Sequence, residues 1–248
     1  MANWQDPQTT GVQSAATVGV PHAARDAGLR SYMLSVYNYM ASGVLLTGIV
    51  AMLFANSSLV RLVIDPTTGR PTMFPLIALF VAFGVGVWLQ AGIFRMAIST
   101  AKSLFFVYAG LLGFAFSSIF LAYTLGSIAQ TFFAVAVAFL SLSLWGYTTK
   151  KDLTGWGSFL IMGVVGLFVA LLINLFLRSP AIDLAISAIG VLIFAGLTAY
   201  DTQKIKSMYT AVGSGEMAVR ASILGAFQLY LDFVNMFLFL LRFMGNRR

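Results

Sequence analysis

The chain has 248 residues, of which 59% are hydrophobic and only 9% charged, with a net charge of +7. An ordinary soluble domain carries roughly a quarter charged residues, so this composition excludes a water-soluble fold and points to an integral membrane protein. The absence of cysteine removes disulfides, thiol nucleophiles and thiolate-bound metals, and the single histidine, His22, leaves no material for a histidine-zinc centre or a serine triad.

Residues 1–30 are polar and precede the first apolar run. They read as a disordered N-terminal tail, neither a signal peptide nor a mitochondrial presequence. Residues 31–248 read as one membrane domain. A bilayer crossing takes about 20 mostly apolar residues, and seven runs qualify: Leu34–Phe54, Phe74–Phe94, Leu104–Leu125, Ile128–Tyr147, Trp156–Leu177, Ala181–Tyr200 and Ala226–Phe243. Their length and continuity, without strand-like alternation, predict an all-α bundle rather than a barrel. Gly126–Ser127 and Ser179–Pro180 mark tight hairpins, and Lys204–Arg220 reads as a longer polar connection. Trp88, Trp145, Tyr147 and Trp156 lie near helix ends, where amphipathic rings favour the interface. Gly84 and Gly86, Gly110 and Gly113, and Gly163 and Gly166 offer close helix approach. Asn38, Gln90 and Asn174 read as hydrogen-bonded packing residues.

The basic residues are spread over the connections rather than gathered into a stripe, which argues for lipid headgroups and against nucleic acid. With seven crossings, lysine and arginine are in excess on the side of the N-terminus, predicting that it is cytoplasmic. A last segment that fails to cross would sharpen the same bias, so charge favours six crossings while length permits seven.

Asp232 stands in the middle of the last apolar run, where a carboxylate costs several kcal/mol unless paired, protonated or wetted. Gln228, Asp232 and Asn235 fall at i, i+4 and i+7, on one face. A polar stripe on an apolar helix should face protein, so the C-terminal helix is expected at the centre, surrounded by the other six. The alternative is a network that only fixes helix packing. Asp201 closes the sixth run and is the carboxyl with which Asp232 can share a proton. Two carboxyls in contact do not easily both ionise, and they titrate as a unit. Loss of their proton adds repulsion between the sixth and seventh helices and opens an acidic path attractive to calcium, which prefers oxygen ligands. Arg95, ending the second helix, is either an interfacial charge or the counter-ion of Asp201. Asp183, at the start of the sixth helix, complements the helix N-terminus.

Two stretches, Ala199–Lys206 (AYDTQKIK) and Leu229–Gly245 (LYLDFVNMFLFLLRFMG), resemble the Bax inhibitor-1 family, also called the transmembrane Bax inhibitor motif family, in its bacterial branch. The resemblance covers the chain after residue 30. It implies a seven-helix bundle with the last helix central, in the bacterial inner membrane. It also implies a pH-sensitive calcium leak gated by Asp201 and Asp232, which would hold calcium only transiently, with Arg95 as the latch on Asp201. Some relatives carry an acidic residue in the second helix, and this sequence has none between Asp65 and Asp152.

Three functions compete. The leading one is a passive cation (calcium) leak channel with Asp201 and Asp232 as its pH-sensing dyad and Gln228 and Asn235 as supporting polar groups. The second is a non-transporting regulator that binds a membrane quality-control protease or a stress-response partner. The third, an intramembrane aspartyl protease, lacks a glycine-rich context around Asp232. The expectation is therefore no enzyme and no cofactor.

Overall fold

The computed structural model describes residues 22–70 and 72–247. Seven α-helices run in order: α1 His22–Ala55, α2 Phe74–Gly92, α3 Ile98–Ala122, α4 Leu125–Thr148, α5 Thr154–Leu177, α6 Pro180–Val212 and α7 Glu216–Met244. A short 3-10 turn, Ser58–Leu62, follows α1. All seven helices are long and apolar enough to cross a membrane. The protein is an all-α integral membrane protein, as its sequence predicts.

Local chemistry places the helix ends. Pro75 and Pro180 sit in the first turns of α2 and α6, where their missing N–H costs nothing. Thr124 caps α4 by accepting from Ser127 N, and Ser179 caps α6 by accepting from Ile182 N. The α5–α6 hairpin turns at Arg178, whose φ of 51° is left-handed, and Asn174 Oδ1 accepts from Ser179 N at 3.0 Å to hold it. Asn174 is thus a hairpin clamp, while Asn38 and Gln90 are exposed and do not serve as packing bonds.

Three sequence expectations are corrected. His22–Arg30 is helical, so α1 starts well inside the segment read as a disordered tail; residues 1–21 lie outside the described residues. The polar stretch Lys204–Arg220 is not a connection: α6 continues to Val212 and α7 begins at Glu216. The break needs only residues 213–215, where Gly213 and Gly215 take positive φ of 69° and 88°, open to glycine at little cost. The α3–α4 hairpin turns at Tyr123–Thr124 rather than Gly126–Ser127.

The C-terminal helix is central, with a qualification. α7 packs mainly against α6, α1, α4 and α3, whereas α2 touches it at Gly86 against Phe227 and α5 rests on α6 at the periphery. Buried residues make up 56% of the apolar window of α7 but 11% of that of α5, which marks α7 as core and α5 as lipid-facing. The core around α7 is aromatic. Tyr230 meets Phe105 and Tyr108, Phe227 meets Tyr108, and Phe233 meets Phe139, all edge-on with centroids 4.8–5.9 Å apart.

Of each predicted glycine pair, one member makes the close approach. Gly113 meets the backbone of Thr47, Gly86 meets Tyr108 and Phe227, and Gly163 meets Ile193; Gly84, Gly110 and Gly166 face open space. α7 is about 44 Å long at 1.5 Å per residue, enough for a full crossing. Its end docks at the far side of the bundle, where Asn246 N donates to Ser127 Oγ at 2.9 Å and Arg242 pairs with Asp183 at 3.6 Å.

Candidate functional site

The site lies where α6 crosses α7. Asp232 is near the middle of α7 and is only 4% exposed. Asp201 lies inside α6, about three turns before its end, and is partly exposed. α6 and α7 run antiparallel and pack along most of their length. That packing is tight on both sides of the acids, with Gly225 of α7 against Ile205 and Gly190 of α6 against Phe239. The register makes the two carboxyls neighbours across the α6–α7 seam.

The pair is not fully satisfied. Among the described residues Asp232 Oδ2 has no hydrogen-bond partner, and neither has Gln228 Oε1 one turn away on the same face. Asn235, at the other end of the stripe, donates through Nδ2 to Leu231 O at 2.8 Å and so caps its own helix instead of reaching the acids. The stripe therefore divides: Gln228 remains available to the site and Asn235 does not.

Arg95 does not latch Asp201 in this conformation. It lies exposed in the α2–α3 turn, and among the described residues it forms no ion pair. The reason is geometric. α2 contacts α3, not α6, and the cation whose field reaches Asp201 is Lys204, three residues further along the same helix. The α2–α3 turn is held by a different arginine: Arg220 Nε donates to Met96 O at 3.1 Å, and its guanidinium pairs with Glu216 at 3.0 Å.

Two buried hydroxyl networks flank the site, and sequence reading missed both. Tyr37 of α1, Ser143 of α4 and Thr202 of α6 form a chain with oxygens 2.6 and 2.8 Å apart, which ends as Thr202 donates to Thr198 O. This chain ties three helices together one residue from Asp201. Thr47 of α1 lies 2.7 Å from Tyr230 OH of α7 and 2.9 Å from Ala109 O of α3. The sequence signal was slight: Tyr37, Thr47, Ser143 and Tyr230 lie inside apolar runs and Thr202 just past one, and serine and threonine commonly bond their own helix.

Among the described residues no three acidic or histidine side chains cluster as a metal site. Calcium takes six to eight oxygens, and two carboxyls with the Gln228 amide fall short of that shell. Outside the membrane segments, hydrogen bonds from Thr67, with a lesser contribution from Thr68, hold Asp65 below the usual carboxylate range, and hydrogen bonds from Thr154 do the same for Asp152. Both stay ionised through the neutral range.

Known proteins share this chain's plan. Residues 29–248 match the family model described as inhibitor of apoptosis-promoting Bax1. A protein of Rickettsia prowazekii is 48% identical over 225 residues, covering 90% of this chain and 92% of its own length. The inner membrane protein YbhL of Escherichia coli is 45% identical over 224 residues, covering 90% and 94%. A membrane protein of Streptococcus pyogenes is 35% identical over 232 residues, covering 92% and 97%.

Proposed function

The chain belongs to the Bax inhibitor-1 family, and we propose that it is a passive, pH-sensitive leak pathway for cations, with calcium the preferred ion and Asp201 and Asp232 as its gate. What supports this reading is a carboxyl buried at the middle of the central helix with a second carboxyl as its neighbour on α6. Two carboxyls in contact share one proton. While they share it, the α6–α7 seam is closed and carries a single negative charge spread over the two groups. Loss of the proton puts two negative charges side by side in a medium of low dielectric, and their repulsion loosens the seam. The same charges then attract a cation into the opening. Gln228 supplies a further oxygen one turn along. Such a path is downhill and needs no cofactor and no chemical step. By the excess of lysine and arginine on its side, the N-terminal end faces the cytoplasm, and by analogy with its Escherichia coli relative, an inner membrane protein, the membrane is the inner one.

The test is calcium flux from liposomes loaded with a fluorescent indicator, measured against pH. Flux through the unaltered protein rises as pH rises through the titration of the pair. Asp232→Asn and Asp201→Asn each flatten that dependence. His22 is the one side chain whose ordinary titration falls in the same range, so His22→Gln is the control and leaves the dependence in place. Unchanged pH dependence in both aspartate variants rejects the gate.

A further inference from the structure

Beyond the acidic pair, we propose that the cleft between the α4–α5 connection and α6 seats the phosphate headgroup of an anionic phospholipid on Lys150, Lys151 and Lys204. The cleft, about 440 Å³ in volume, is lined by these three lysines together with Tyr200, Gln203 and Ser207. All three lysines are exposed, and among the described residues none forms an ion pair. The neighbouring Lys206 is already committed, donating to Tyr147 O at 2.7 Å on the α4 end.

The seat is built rather than incidental. Gln203 uses both ends of its amide to fasten the connection to α6: Oε1 accepts from Leu153 N at 2.8 Å and Nε2 donates to Lys151 O at 2.9 Å. This clamp holds Lys150 and Lys151 opposite Lys204. The one acid in the cleft, Asp152, is turned to its own chain, accepting from Thr154 N at 2.9 Å. It balances one of the three positive charges and leaves an excess for an anion.

A lipid, not a soluble anion, suits the surroundings. The cleft stands where α4 ends and α5 begins, against the Tyr200–Ser207 stretch of α6 and beside the exposed ring of Trp156, where headgroups lie. From it the outer face of α5 descends as an exposed apolar surface, with Phe159 and Met162 more than two-thirds exposed, which an acyl chain covers. Basic side chains at this level attract anionic lipid. Lys204 also links the seat to the gate, because it lies three residues from Asp201 on the same face of α6, within reach of its positive field. A phosphate on Lys204 weakens that field. This coupling, unlike the binding, rests on the reading of Asp201 and Asp232 as a gate.

Binding is read from quenching of tryptophan fluorescence by brominated phosphatidylglycerol against brominated phosphatidylcholine, using the full chain in vesicles. The unaltered protein prefers phosphatidylglycerol. Lys150→Gln, Lys151→Gln and Lys204→Gln each weaken the preference, by roughly fivefold per lysine, and the triple variant abolishes it. Lys102→Gln removes a cation from the same end of the bundle and leaves the preference intact. An equal loss in Lys102→Gln, or none in the triple variant, overturns the seat. Displacement by millimolar inorganic phosphate assigns the site to a soluble anion and also overturns it. Calcium flux in phosphatidylglycerol and in phosphatidylcholine vesicles then reads the coupling. A binding preference with no effect on flux refutes the coupling alone, whereas loss of all pH-dependent flux refutes the gate.

Discussion

The knot at Tyr230 and the acidic pair at Asp232 lie half a helical turn apart on α7, and they treat buried polarity in opposite ways. In the knot every group has a partner: Tyr230 OH meets Thr47, and Thr47 meets the carbonyls of Gly43 and Ala109. Aromatic rings of Phe105 and Tyr108 close over it. At the pair, Asp232 Oδ2 and Gln228 Oε1 are left without partners, two of the four buried side-chain atoms unpaired among the described residues, the others being the hydroxyls of Tyr32 and Thr131. A satisfied network fixes one packing. An unsatisfied buried carboxyl leaves the packing dependent on a proton or a cation. The first region holds α7 in place, and the second is where the proposed gate would let α6 move against it.

That division can be broken by substitution. The largest effect is expected from Tyr230→Ala, which removes a fully buried ring and costs about 3–5 kcal/mol of stability, read as a fall in melting temperature in detergent. Asp232→Asn comes next. It abolishes the pH dependence of flux while leaving the melting temperature equal or raised, because it removes the need to bury a charge. Thr47→Val takes the partner from Tyr230 and costs about 1 kcal/mol, with the pH dependence of flux intact; a lost dependence would mean that the knot and the pair are one unit. Ser143→Ala breaks the hydroxyl chain beside Asp201 at a cost of about 1 kcal/mol and shifts the pH response without removing it. Arg95→Gln changes stability by less than about 0.5 kcal/mol, as suits an exposed, unpaired side chain. A large change in flux from this substitution would show that Arg95 engages Asp201 in another conformation.

Asp65 and Asp152 bound the pH argument from outside the membrane. Their folded values lie below the unfolded ones. Whatever stability they contribute is therefore complete above the usual carboxylate range and lost only as pH falls through their lowered values. A response near neutral pH is not theirs.

The seven apolar helices and the central place of the last one were legible because hydrocarbon imposes them. Apolar runs reveal span length, and a lone carboxyl within one demands a partner. What lay in water was less legible. The helicity of His22–Arg30 and the extension of α6 to Val212 carry no apolar signal, and the short break before α7 rests on Gly213 and Gly215. The partners of Tyr37 and Thr47 lie 106 and 183 residues away, so no local pattern announces them. Arg95 was assigned by resemblance, and here the cation near Asp201 comes from the same helix.

The shared proton itself is open to direct observation. Infrared difference spectroscopy of the reconstituted protein across a pH titration reports protonated carboxyl groups by their C=O stretch. One such band is expected in the unaltered protein, disappearing in a single step as pH rises and shifted or lost in both Asp201→Asn and Asp232→Asn. A band that survives unchanged in either variant, or two bands that titrate independently, would contradict the sharing of one proton by these two carboxyls.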